Sequence, residues 1–287
     1  MTSPRIRKKN ILGILLLLSL MACKQSDPPI LPTTKTTNNP STANTINFSG
    51  ITWDVKFDST NKMGPGPNYF SSSSKNVFVD SLGYLHLKII QEGGYWKCAE
   101  VISKNFYGYG TYVFTIMSNV ADIDPNVVCG LFTWDNTTFK EEANSEIDIE
   151  FSKWGDKTDS LTLTQSAQPV WFSNPIPYYE RTNHPLIPVS KLKKPSTHAF
   201  TWTDSLVTWS SYEGLNYPGT NLLASWRFDK YRQARSKIEG GNQSRAIVIP
   251  KPGADTHARI NLWLLNGLGP SNQKEVELIV KEFRFIP

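Results

Sequence analysis

The stretch Ser145-Glu-Ile-Asp-Ile-Glu-Phe151 sets three carboxylates at alternate positions. On an extended strand alternate residues share a face, so Glu146, Asp148 and Glu150 project one way and Ile147, Ile149 and Phe151 the other. No basic residue stands between the acids, whereas a segment shaped only for stability sets a Lys or Arg opposite or among them. Like charges this close push their pKa values apart, so one carboxyl keeps its proton while its neighbour is ionised. Cleavage of a glycosidic bond needs that pair: one acid, and one nucleophile or base. A solvated acidic edge is the alternative reading of the same spacing.

A row of this kind needs a sheet to hold it. Short β-rich runs recur along the chain, among them Val77–Asp80, Tyr84–Ile90, Thr111–Met117, Ala199–Thr203 and Val276–Val280. Turn signals separate them at Ser81-Leu-Gly83, Glu92-Gly-Gly94, Asp204-Ser205 and Glu213-Gly214. Many short strands with little 3.6-residue periodicity predict an all-β sandwich or barrel. A single short, basic helix is expected over 230–238. No internal repeat is present, and residues 47–287 read as one domain.

The chain has 287 residues, with 30 Lys and Arg against 25 Asp and Glu, a formal charge of +5. Arg5, Arg7, Lys8 and Lys9 supply four of those positive charges, and the first acidic residue is Asp27. The remainder is near neutral, so no nucleic-acid partner is expected. A hydrophobic content of 39% supports a packed core. Three Cys exclude a disulfide-dense scaffold, and His86, His184, His198 and His257 are too scattered to suggest a metal cluster. Neither metal nor cofactor is implied.

The basic leader is followed by the apolar run Ile11–Leu20, which at ~1.5 Å per residue covers about half of a ~30 Å hydrocarbon core. That length reads as a secretory signal rather than a membrane span. It ends in Leu20-Met-Ala-Cys23, which resembles a bacterial lipobox with Cys23 as the lipidated first residue, although Met21 stands where a small residue is usual. Plain secretion with cleavage near Ala22 is the alternative. Residues 24–46, with four Pro and six Thr, have no apolar period and read as an extended tether. The expected setting is the cell envelope, with the chain as a lipid-anchored monomer on one face of a bacterial membrane.

Glu146-Ile-Asp-Ile-Glu150 also resembles the active-site motif of glycoside hydrolase family 16, in the five-residue form of lichenases and xyloglucan-active members. Lys97-Cys-Ala-Glu100, Phe106–Tyr112, Leu131-Phe-Thr-Trp134 and Arg259-Ile-Asn-Leu-Trp263 follow the lichenase order. The resemblance runs from about residue 53 to the C-terminus. It implies a β-jelly roll of two antiparallel sheets with a polysaccharide cleft on the concave one. It further implies retaining hydrolysis, with Glu146 as nucleophile, Glu150 as acid/base and Asp148 tuning both. Glu100 matches a sugar-binding Glu, and Trp134 and Trp263 match cleft aromatics whose rings can stack on pyranose faces. Asn68 and Asn261 are expected to bind hydroxyls, while Trp96, Trp154 and Trp171 are undecided between core and cleft.

The departures are specific. Asn144 stands where lichenases have Trp, Ile102 where they have Arg, and residues 69–76 lack the Cys that bridges to the one matching Cys98. Cys98 and Cys129 are expected as buried free thiols, with pairing to each other in an oxidising compartment as the alternative. A non-catalytic carbohydrate-binding jelly roll and a transglycosylase remain the alternatives to a hydrolase. One geometric demand stands out: on an extended strand the Cα atoms of Glu146 and Glu150 lie ~13 Å apart, whereas retaining carboxyls stand only ~5–5.5 Å apart.

Overall fold

The computed structural model describes residues 44–138, 143–160, 162–168, 181–229, 236–237, 244–245 and 249–287. The leader, Cys23, nearly all of the Pro/Thr-rich segment and Trp171 lie outside that set.

Two antiparallel sheets form the jelly roll. The first runs β1 (Thr45–Phe48), β2 (Ile51–Val55), β6 (Tyr95–Phe106), β17 (Thr256–Leu264), β8 (Val127–Asp135), β9 (Ile147–Ser152), β10 (Leu163–Ala167) and β11 (Thr182–Asn183). The second runs β4 (Val77–Val79), β5 (Leu85–Glu92), β18 (Val276–Ile286), β7 (Gly110–Ile116), β12 (Ser196–Trp202), β13 (Leu206–Glu213) and β14 (Asn221–Asp229). The hairpin between β5 and β6 joins the sheets, pairing Ile90–Glu92 with Tyr95–Lys97. The short β3 (Tyr69–Phe70) lies parallel to β6. One short helix, α1 (Val189–Leu192), precedes β12.

Period-2 patterning builds the core. Ile147, Ile149 and Phe151 from β9 are fully buried beside Cys129 and Leu131 of β8 and Ile260 and Leu262 of β17. Phe114, Phe200, Trp202 and Trp209 enter the same core from the second sheet. Each such side chain contributes about 1.5–3 kcal/mol of burial, enough to lock the register of β9. A slip by one residue would turn the carboxylates inward.

Two expectations are corrected. Ser236–Lys237 (β15) pairs with Ser244–Arg245 (β16) in a two-residue ladder, so no helix runs through to 238; the remainder of that segment lies outside the described residues. The first strand also starts before residue 47. β1 starts at Thr45 because it forms a hairpin with β2, which brings Phe48 into the core.

Candidate active site

The register of the first sheet carries the acidic row across five strands. Thr164, Glu150, Gly130, Asn261 and Glu100 are successive Cα partners on β10, β9, β8, β17 and β6. One step along lie Ser166, Asp148, Phe132, Arg259 and Ile102. Asp148, Glu150 and the predicted Glu100 and Asn261 therefore share one face. Gly130 leaves room in the middle of the row: a Cβ there would come within 2.5 Å of the Asn261 Oδ1 and displace that amide.

Glu146 does not lie on the regular strand. β9 begins at Ile147, and the preceding turn Ala143–Ser145 has left-handed φ values of 46°, 60° and 52°. Non-glycine residues take such angles at a cost of order 1–3 kcal/mol each, so the surroundings must hold them. Buried Asn144 donates its amide to the Asp135 carbonyl at 2.9 Å, and Asn is among the residues that tolerate this conformation. Thr133 Oγ1 donates to the Ser145 carbonyl at 2.8 Å and accepts from the Ile147 N–H at 3.1 Å. The Gln168 N–H reaches the Glu146 carbonyl at 3.0 Å. The turn re-aims Glu146 relative to a straight strand, and its carboxyl lies close enough to that of Asp148 for the two to influence each other's proton affinity. Asn144 is thus an inward brace rather than a lining residue at the position where lichenases carry Trp.

Asp148 is buried, with Oδ2 accepting from Ser166 Oγ at 2.8 Å and Gln168 Nε2 at 3.0 Å. Its backbone carbonyl accepts the Trp209 indole N–H at 2.9 Å, which ties the strand to the second sheet through the core. Burial pushes the Asp148 carboxyl up to about 6, while the donors from Ser166 and Gln168 restrain the rise. Burial, and then the Asp148 charge, drive Glu150 well above the usual carboxylate range. Glu146 is raised by burial, then by Asp148 and Glu150, with Arg259 opposing. Three neighbouring acids of raised proton affinity can hold and share protons that isolated carboxyls would have lost.

Glu100 is in a different state. Its carboxylate is buried and paired with Lys56 Nζ at 2.9 Å through Oε2 and with Arg259 Nη1 at 3.2 Å through Oε1. The expected sugar-binding carboxylate is thus the centre of an internal ion-pair cluster. Arg259 also lies over the Trp134 ring, 5.6 Å from its centroid. Trp134 is half-buried and donates its N–H to Asn136 at 3.0 Å. Trp263 is 91% covered and packs edge-on, 6.4 Å away, against the exposed Trp154. Trp154 donates to Thr164 Oγ1 at 3.4 Å, and Thr164 is the cross-strand neighbour of Glu150, so this ring belongs to the acidic end. The Asn68 Nδ2 donates to the Pro65 and Leu264 carbonyls at 2.8 Å and braces a loop.

Cys98 and Cys129 are both free and buried, and burial raises the Cys98 thiol to about 12. Among the described residues no group of three or more His, Cys, Asp or Glu is arranged to hold a metal ion. A cavity of about 240 Å³ lined by Ser118, Asp122, Asp124 and Glu277 shares no residue with the acidic row. Sequence reasoning missed Arg259, Ser166 and Gln168. Arg259 was within reach, since it alternates with Asn261 and Trp263 on one strand; Ser166 and Gln168 carry no comparable signal.

No protein-family profile and no curated protein matches the chain. Solved structures do. A β-glucanase from Bacillus licheniformis is 17% identical over 86% of this chain and 100% of that one, with a TM-score of 0.54. A laminarinase from Flavobacterium sp. UMI-01 is 11% identical over 82% and 93%, with a TM-score of 0.55. SCLam, a non-specific endo-β-1,3(4)-glucanase from family GH16, is 13% identical over 81% and 84%, with a TM-score of 0.54. The fold is the glucanase jelly roll. At these identities the likeness carries the architecture, and the chemistry must be argued from the side chains.

Proposed function

We propose that this chain is a retaining, endo-acting glycoside hydrolase that cleaves a β-linked polysaccharide by double displacement. The observation that carries the reading is the acidic face of β9: three carboxylates of raised proton affinity, with no cation on their own strand. A binding module has no use for that crowding. In the first step the Glu146 carboxylate attacks the anomeric carbon, the bond to the leaving sugar breaks, and Glu150 gives its proton to the leaving oxygen. In the second, Glu150 takes a proton from water, and the resulting hydroxide displaces Glu146 from the anomeric carbon. Esterification removes the charge on Glu146, so the proton affinity of Glu150 falls as it changes from acid to base. Asp148 takes up or returns the proton it shares with Glu146.

The braced Asn144, the apolar Ile102 and the ion-paired Glu100 alter three positions that line lichenase clefts. We infer from these that mixed-linkage β-glucan is a poor substrate relative to another β-linked polymer. The lipobox and tether assign the protein to the cell envelope through a lipidated Cys23, where several acyl chains at ~0.8 kcal/mol per buried CH₂ give stable anchoring. Cys23→Ser should release it into the soluble fraction.

The deciding experiment is a polysaccharide panel with proton NMR of the first product. The β-anomer is expected, and an α-anomer overturns retention. Glu146→Ala with azide should give an inverted glycosyl azide, and Glu150→Ala the retained one. Tight polymer binding without product from any substrate would favour the lectin reading.

A further inference from the structure

Beyond Glu150 the acidic strand ends in a turn. β9 stops at Ser152, and the Asp156 N–H returns to the Lys153 carbonyl at 2.9 Å. The two central residues, Trp154 and Gly155, have φ values of 49° and 83°. Positive φ at both positions is the pattern that Gly, Asn and Asp fill, and a large ring there is strained. Ser152 Oγ and the Pro125 carbonyl hold the turn, accepting the N–H of Trp154 at 3.0 Å and that of Gly155 at 2.8 Å. The indole is thereby folded back over the sheet. Its N–H meets Thr164 Oγ1, the cross-strand neighbour of Glu150, and its ring meets Trp263 at 66°. Those two anchors stand on β10 and β17, with β9 and β8 between them. The ring is still 40% exposed, the most open Trp among the described residues.

We propose that Trp154 is the platform for the sugar on the leaving side of the scissile bond, and therefore for a sugar that takes the place of water in the second step. A strained aromatic residue outside the core adds little to the fold, and backbone outliers of this kind gather at working sites. An exposed indole face suits the apolar face of a pyranose. Position decides which sugar. Glu150 stands four residues after Glu146 and four before Trp154. Glu150 protonates the leaving oxygen, so the ring beyond it, on the side away from Glu146, meets the departing sugar. Once that sugar has left, another can settle on the ring. Its hydroxyl gives a proton to Glu150, its oxygen bonds to the anomeric carbon, and the ester bond to Glu146 breaks.

This inference rests on the proposed roles of Glu146 and Glu150, so binding and partition are measured separately. Full-length Glu150→Gln protein labelled with 5-fluorotryptophan gives a ¹⁹F signal for Trp154, identified by its loss in Trp154→Phe. Oligosaccharides of β-1,3-glucan, xyloglucan and agarose are the probes. At least one should shift that signal, and no shift with any of them overturns the proposal. With Glu150 intact, the same oligosaccharides serve as acceptors, and the ratio of transfer to hydrolysis is read from the products. Trp154→Ala should lower that ratio about 5–10-fold, the size of one lost aromatic contact. Trp154→Gly, whose backbone takes the turn freely, should melt above Trp154→Ala, lower the ratio equally, and serve if the Ala variant does not fold. Transfer and hydrolysis falling in equal proportion, or hydrolysis without any transfer in the unaltered protein, overturns the placement on the leaving side. A shifted Trp154 signal in a protein that yields no product leaves the sugar platform standing and removes the hydrolase reading instead.

Discussion

Glu100 and Glu150 stand in one row of one sheet, about three strand spacings or ~14 Å apart, yet the fold treats them in opposite ways. Glu100 is sealed between Lys56 and Arg259, each of its oxygens occupied by a cation. Glu150 has Asp148 as its strand neighbour, and burial and that charge together raise its proton affinity. Glu100 is wholly buried and Glu150 only partly so, so burial is not the mark of function. What differs is compensation. A buried charge that is paired supports the structure, whereas one crowded by its own kind costs stability and is retained only where the resulting proton affinity is used.

The largest test of the contrast is turnover. Glu146→Ala should lose more than about 10³-fold in kcat, because in the proposed mechanism the missing group forms the bond to carbon. Glu100→Gln should lose far less per folded molecule. Stability should respond in the reverse order. Glu100→Gln leaves Lys56 and Arg259 buried with no counter-charge and should destabilise the fold by about 3–5 kcal/mol, read as a lower denaturation midpoint. Equal losses of stability in Glu100→Gln and Glu150→Gln would erase the distinction drawn between the two ends.

Glu150→Gln should instead raise the melting temperature at pH 7.5, by about 2–6 °C for a domain of this size. The sign follows from the direction of the shift. A carboxyl whose proton affinity is higher in the folded state imposes a penalty that is absent below the unfolded pKa and grows as pH rises toward the folded one. The gain should therefore vanish near pH 4, and a gain independent of pH would point to packing rather than charge. The smallest effect is expected at Trp154. It is exposed and uncharged at the acidic end, so Trp154→Ala should raise KM by about 3–10-fold, with kcat nearly unchanged, and shift the melting temperature by less than about 2 °C.

Much of this molecule was legible in the chain alone. The alternation of Glu146, Asp148 and Glu150 with Ile147, Ile149 and Phe151 announced a strand with one acidic and one apolar face, because side-chain direction on a strand is a local property of the backbone. Regular turn signals announced an all-β sandwich for the same reason. The tertiary structure decided what depends on neighbours distant in sequence. Glu146 leaves the strand because Thr133, Asp135 and Gln168 hold a left-handed turn before it. Glu100 became an ion-pair centre because register brought Arg259 beside it from 159 residues away. Asn68 became a brace because its amide met the carbonyl of Leu264. A residue type and its spacing specify which way a side chain points; which charge it meets there is set by strand order and register, which no local pattern encodes.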